Sequence, residues 1–509
     1  MGLSRSTVGI TRFLESLVGG RPERPAGLIF LISAAGILLI TTGMLIAFEA
    51  DVKTVIAAAG ILGGLALFAV MLVRHEWLFL FGIIAGHTIF YGRFPSSLGM
   101  RVKDSIGPGD FLFFLAFVAA LIYWAGRKDR PRTPWPLIWP PAILFTYTLA
   151  YTLIAFFLWE RQDHALSQAV GWFYFILAWP AYLCLSGGRI WRPFFVIILL
   201  ALVAGAFLSA CAEQGVLLDV LNRTGYGGIG TRSFGDTAVK TNFLGMTIVG
   251  TLIATVIVGF ARRPGWFLGA VIAALSGCVI LLLDRGRIHW AGMLLATVLL
   301  MAVLPNASRR KVVVTATTSV LIVVLLIQAA GGEVRDRFNV ALEKGWRRIE
   351  LSKPDALAVD QGLTLRMYRK RLAQAEFYEN PLFGGGPGVI LGYTTDWQTL
   401  KRVPISYLDD SFIYPLSVGG IAGYSMIWFC YITFVGAGIY AFRRLRNRLH
   451  RALAAVPLGM FVFLTICIPV MWWLVDRFHI AAFALMTAMS LALVHHERVH
   501  GSDVPVVDF

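Results

Sequence analysis

Between Thr241 and Ala261 the chain carries no charged side chain, and stretches of this kind recur along its whole length. A helix that crosses the hydrocarbon core of a bilayer needs about 20 apolar residues, since each adds about 1.5 Å of rise. Fourteen stretches meet or approach that requirement: 26–48, 54–73, 77–92, 110–126, 138–158, 168–187, 193–213, 241–261, 266–283, 288–304, 312–331, 411–436, 453–473 and 479–496. Charged residues make up 15% of the 509, against about 25% in soluble domains. A multidomain soluble protein, a disordered chain and a disulfide-stapled secreted fold are all excluded. The five cysteines, Cys184, Cys211, Cys278, Cys430 and Cys467, fall inside apolar stretches and lack zinc-site spacing. The first stretch is too long for a signal-peptide core and has no cleavage-like site, so it is expected to stay. The expected fold is an all-α polytopic membrane protein with about 14 transmembrane helices.

Lysine and arginine set the orientation. Of 45 basic residues, 22 lie in the N-terminus, the tail and alternate connections: Arg74, Arg127 to Arg132, Arg189 with Arg192, Arg262 with Arg263, Arg309 to Lys311, and Arg443 to Arg451. The intervening short loops hold 11, and residues 332–410, a loop too long to vote, hold 12. Both termini are therefore expected in the cytoplasm. The chain divides into helices 1–11 over 1–331, one long outer loop over 332–410, helices 12–14 over 411–496, and a cytoplasmic tail over 497–509. The net charge of +16 reads as topology and contact with anionic membrane lipids, with no nucleic-acid partner. No internal repeat is visible, so an inverted-repeat transporter architecture has no support.

The outer face carries the unusual chemistry. The loop Tyr226-Gly-Gly-Ile-Gly-Thr-Arg-Ser-Phe-Gly-Asp236 sets Arg232 among glycines that let backbone approach a ligand; a plain flexible loop is the equal alternative. Asp284-Arg285-Gly286-Arg287 joins two spans almost without a loop. One arginine there would be a snorkelling anchor, but two beside an aspartate lean toward anion binding. His289 stands one turn after Arg285, where a hydrogen-bonded bystander is the commoner role.

Within the long loop, residues 335–350 read as an amphipathic helix with Phe338, Leu342, Trp346 and Ile349 on one face. Residues 363–379 read as a second, with Leu365, Tyr368, Leu372 and Ala375 as its apolar stripe and Arg366, Arg369 and Lys370 on a shared basic face. Pro381 ends it, and Gly384, Gly385, Gly386 and Gly388 around Pro387 build a turn with unusual backbone angles. Asp409 and Asp410 then stand where the twelfth span begins. Helix capping explains one of them, and one could act as a general base.

These features together resemble the O-antigen ligase and polymerase superfamily of bacterial membrane glycosyltransferases, over roughly residues 220–425. The most specific match is Asn380-Pro381-Leu382-Phe383-Gly384-Gly385-Gly386-Pro387-Gly388, which resembles the family's Asn/His-Pro-Leu-x-Gly-x-Gly. Arg366 precedes Pro381 by fifteen residues, the spacing of a family arginine. Asp284-Arg285-Gly286 is similar to a family Ser-Arg-Gly at a periplasmic helix turn. Arg232-Ser-Phe-Gly235 and Asn242 are a looser match. Family ligases carry His-Asn-x-Tyr-Leu eleven residues before a Gly-Leu-Ile-Gly, for which Gly420-Ile421-Ala422-Gly423 stands here. Asp409 occupies the histidine position and Asp410 the asparagine position, and the long loop contains no histidine.

The resemblance implies a donor glycan on undecaprenyl pyrophosphate, transferred to a sugar hydroxyl of a growing chain or of lipid A core at the periplasmic face of the inner membrane. Arg285 and Arg366 are the expected pyrophosphate ligands, with Arg232 and Arg287 behind them. Asp409 is the expected base, with Asp410 as substitute, in an inverting single displacement. The sequence holds no evident metal cluster and no phosphate-cradling nucleotide loop, so no metal and no cofactor are expected. A polymerase of exopolysaccharide or O-antigen is the leading expectation, and a ligase to lipid A core the alternative. A lipid-linked oligosaccharide flippase or transporter, and a noncatalytic partner of polysaccharide export machinery, are the rivals of other classes. A flippase should carry ionisable groups deep in its spans, where this sequence offers chiefly His87, itself better read as a core histidine.

Overall fold

A computed structural model of the chain describes residue 117 and residues 132–159, 161–188, 190–213, 244–283, 287–329, 361–395, 402–405, 412–467 and 477–509. Helices dominate: α1 (Trp139–Phe157), α2 (Gln162–Phe173), α3 (Ala178–Ser186), α4 (Trp191–Glu213), α5 (Leu244–Phe260), α6 (Pro264–Leu283), α7 (Arg287–Val303), α8 (Asn306–Ala329), α9 (Gln361–Glu379), α10 (Ile413–Arg444), α11 (Arg448–Ala454), α12 (Val456–Cys467) and α13 (Arg477–His500). A 3-10 turn over Tyr174–Leu177 joins α2 to α3. The expected spans 26–48, 54–73 and 77–92, the helix over 335–350 and His87 lie outside the described residues, as does all of span 110–126 but Phe117.

Small residues explain why α13 sits at the centre. Ala481, Ala482, Ala484, Ala488 and Ala492 are all fully buried, and small side chains let helix backbones approach closely. The helix packs against α3, α5 and α10. Its buried hydroxyls pair within the helix: Thr487 donates to the Phe483 carbonyl at 2.9 Å and Ser490 to that of Met486 at 3.0 Å. Helices at the margin invert this pattern. Leu268, Leu294, Val298, Leu321 and Leu325 are all more than half exposed. Apolar faces of this extent belong in lipid rather than water.

Among the described residues six helices are long and apolar enough to cross a membrane: Trp135–Phe157, Gln168–Ser186, Pro264–Leu281, Ile413–Arg444, Arg448–Cys467 and His479–His500. Trp191–Phe207, Gly245–Phe260 and Ile288–Val303 are shorter apolar helices. The build is that of a mostly helical membrane protein. Three details differ from expectation. The twelfth span runs on to Arg444 as a 32-residue helix. The thirteenth splits at Ala455 into α11 and α12. The third is a hairpin of β1 (Gly392–Thr395) and β2 (Arg402–Ile405), antiparallel with Gly392 opposite Ile405, inside the loop expected to hold only helices. Its Thr394, Thr395, Val403 and Ile405 are the β-branched residues that favour strands.

Described basic connections gather at one end of the bundle. The Lys311 ammonium donates to the Ala261 carbonyl at 2.5 Å, and Arg309 donates to the carbonyls of Ala302 and Leu304 at 3.3 and 3.2 Å. These cations satisfy carbonyls left open where α5 and α7 end. Residues 501–509 fold back onto the same end. The backbone N–H groups of Arg262 and Arg263 donate to the Phe509 carbonyl at 2.7 and 3.2 Å, and the Phe509 ring packs beside Phe195 and Trp266. Glu497 accepts from the N–H groups of Arg446 and Asn447, each at 3.0 Å, and from His450 Nδ1 at 2.9 Å. His450 Nε2 in turn accepts from the Val506 N–H at 3.1 Å, which requires the neutral ring with its proton on Nδ1.

Candidate functional site

The site lies at the opposite end of α10, where that helix breaks. Gly420 has φ 59° and ψ −164°, a conformation open to glycine and strained for other residues. An unbroken helix would bond the Ile421 and Ala422 N–H groups to the carbonyls of Ser417 and Val418. Instead Ile421 donates to the Pro381 carbonyl at 2.9 Å and Ala422 to that of Leu382 at 3.0 Å. The carbonyls of Ser417 and Val418 accept from the N–H groups of Gly385 and Gly386 at 2.8 and 2.9 Å. Two helical bonds are thus exchanged for four to the loop 381–388, which enters the break and restores every pairing. Non-helical backbone at membrane depth is tolerated only where it is satisfied in this way.

Close approach makes the glycines necessary. A Cβ on Gly384 would lie 2.6 Å from the Gly420 nitrogen, and one on Gly420 would overlap the backbone of Leu382. Gly384, Gly386 and Gly388 all have positive φ, which fulfils the expected turn of unusual angles. Residues 384–389 are buried. The four glycine N–H groups of the loop are committed within the protein: Gly384 to the Asn380 carbonyl at 2.8 Å, Gly385 and Gly386 to α10, and Gly388 to Gln168 Oε1 at 2.7 Å. A glycine loop that cradles phosphate presents those groups to the ligand. This one spends them on its own seat.

Helices α1 and α2 hold the loop from the side. Tyr147 donates to the Gly419 carbonyl at 3.0 Å and Tyr151 to that of Gly384 at 3.2 Å. Arg161 donates to the Gly385 carbonyl. Gln168 is 3% exposed and uses both ends of its amide, donating to the Val389 carbonyl at 3.1 Å while accepting from Gly388. Replacing it with leucine strands a buried donor and a buried acceptor, each costing about 1–3 kcal/mol. Gln168→Leu is expected to lower stability by roughly 2–4 kcal/mol, measured by thermal unfolding in detergent. A melting curve equal to wild type would contradict the clasp.

Helix α9 leads into the loop and stops at Glu379, before Pro381, as expected. Its inward face differs from the expected stripe. Ala373 is buried, and Arg369, Leu372 and Glu376 are half-buried, whereas Tyr368 and Ala375 are exposed. The face is shifted because Glu376, on α9 itself, is turned toward the Gly385 backbone and accepts from Asn380 Nδ2 at 3.2 Å. Arg369 lies half-buried on the same side, while Lys370 stays at the surface.

Of the residues expected to carry the chemistry, Arg232, Arg285, Asp409 and Asp410 lie outside the described residues. Arg366 stands in the second turn of α9 and Arg287 opens α7, with side chains likewise outside the description. In sequence Asp409 and Asp410 precede α10 by a few residues, and Arg366 precedes Pro381 by fifteen. His289 is buried near the Phe463 ring, with centroids 6.4 Å apart, in the interface of α7 and α12. Tyr147, Tyr151, Trp159, Arg161, Gln168 and Glu376 join the site although no motif marks them. Among the described residues no three histidine, cysteine or acidic side chains gather as a metal-binding group. No family model matches the chain, and no curated protein matches it significantly.

Proposed function

We propose that the chain is a bacterial polysaccharide polymerase of the inner membrane, acting on exopolysaccharide or O-antigen units. It transfers a glycan from undecaprenyl pyrophosphate to a sugar hydroxyl at the periplasmic face, with both termini in the cytoplasm. The observation that carries this reading is the seating of Asn380–Gly388, the motif most specific to the resemblance, in the break of α10. Broken membrane helices recur where a polar ligand is met within the membrane. The loop that leaves α9 at Glu379 is seated against the first half of α10, the helix that Asp409 and Asp410 precede in sequence.

A pyrophosphate leaving group departs readily, so the work left to the protein is positioning and charge stabilisation. Arg285 and Arg366 would bind the pyrophosphate, supported by Arg232 and Arg287. Asp409 would take the proton of the attacking hydroxyl, with Asp410 as its substitute. The chemistry asks for no metal or cofactor. Among the described residues the lysines and arginines stand near the ends of the long apolar helices or in the segment 361–405, which supports an enzyme at the rim over a flippase with charges at mid-membrane.

The test is reconstitution of the full chain in lipid with a synthetic polyprenyl-pyrophosphate oligosaccharide, followed by gel analysis of the glycans. A ladder of lengthened lipid-linked chains is expected. Transfer only to added lipid A core would make the protein a ligase. Absence of both products with the cognate donor would overturn the enzyme reading in favour of a transporter or a partner of the export machinery.

A further inference from the structure

Trp159 and Arg161 form a second polar surface on the loop, distinct from the expected pyrophosphate ligands. Trp159 follows α1 and is 38% exposed. The Arg161 guanidinium carbon lies 5.0 Å above its ring, and the Tyr151 ring meets it edge-on with centroids 5.4 Å apart. Arg161 donates to the Gly385 carbonyl, and Glu376 Oε1 fills the space on the side-chain face of that same glycine. Asn380, exposed, donates to Glu376. One glycine therefore brings a guanidinium and a carboxylate together beside an aromatic plate.

This set of groups suits one ligand chemistry. The Arg161 fork has further donors to offer, Glu376 offers acceptors, and Asn380 offers both. A flat indole supplies an apolar face of the kind a pyranose ring covers with its C–H groups. Hydroxyl-rich rings need this mixture of donors, acceptors and aromatic surface. Pyrophosphate does not: Glu376 would repel it, and the glycine N–H groups that could have received it are spent on α10 and Gln168. We propose that Trp159, Arg161, Glu376 and Asn380 form a saccharide-binding subsite that seats the sugar bearing the attacking hydroxyl. The acceptor role rests on the glycosyl-transfer reading, and sugar binding itself does not.

Two probes separate these claims on the full chain in nanodiscs: the repeat-unit oligosaccharide released by mild acid from the cells' own lipid-linked donor, and inorganic pyrophosphate. Wild type is expected to bind both. Glu376→Gln keeps the size of the side chain and Trp159→Phe keeps an aromatic face, and both are expected to weaken oligosaccharide binding about tenfold while leaving pyrophosphate binding and the melting temperature unchanged. In turnover the same variants should raise the KM for acceptor with kcat nearly constant. A wild type that ignores the oligosaccharide, or variants that lose pyrophosphate instead, would overturn the subsite. Residues that merely brace the loop would lower the melting temperature without a selective loss of sugar. If sugar binding follows expectation while reconstitution yields no product, the subsite stands and the acceptor role falls.

Discussion

Gly420→Ala is expected to abolish activity and to cost roughly 4 kcal/mol or more of stability. Two effects combine. Alanine at φ 59° and ψ −164° enters a region essentially reserved for glycine, at a cost of about 1–3 kcal/mol. Its Cβ would also overlap the Leu382 carbonyl group and the Phe383 nitrogen, which are backbone atoms and cannot rotate away. Relief of the overlap lifts the loop and breaks the four hydrogen bonds that seat it, leaving the carbonyls of Ser417 and Val418 open in a membrane helix. Gly436, on the same helix, is the control. No atom lies within 4 Å of where its Cβ would be, so Gly436→Ala should be neutral or slightly stabilising. Thermal unfolding in detergent, read beside glycan polymerisation, checks both. A Gly420→Ala protein that melts within about 2 °C of wild type would show that the helix is not broken there.

Helix periodicity made the bundle legible, because a span is a local pattern of about 20 residues. The end of α9 at Glu379 was legible for the same reason, since Pro381 stops a helix by covalent structure. The seat of the loop was not. Its bonds join residues 381–386 to 417–422, and its lateral clasps span 272 positions from Tyr147 to Gly419 and 224 from Arg161 to Gly385. The glycines announced unusual backbone without naming the surface they would approach.

Arg161 carries no motif, since a lone arginine in a short connection is ordinary. The face of α9 departs from its apolar stripe for a related reason. The helix turns Glu376 toward Gly385, so a polar residue shares the inward side with Leu372 and Ala373. Departures from simple patterning at this one place fit a site rather than a core.

Asp409→Asn is expected to lower turnover about 10²–10⁴-fold, the usual worth of a positioned general base, with the melting temperature unchanged. The substitution keeps shape and removes proton affinity, so a structural role would not register in the rate alone. Asp409→His is the sharper variant, since it restores the residue of the resembling ligases. An imidazole can accept the same proton but titrates about 2.5 pH units above a carboxylate. A base works only when deprotonated, so activity of Asp409→His should return above neutral pH and fall away on acidification. Its acid limb should lie about 2.5 units higher than that of the wild type. Both limbs are read from kcat/KM against pH in the reconstituted system. If Asp409→Asn keeps wild-type turnover while Asp410→Asn does not, the base moves one residue along. If both retain it, neither aspartate carries the proton, and the aspartate-base mechanism falls.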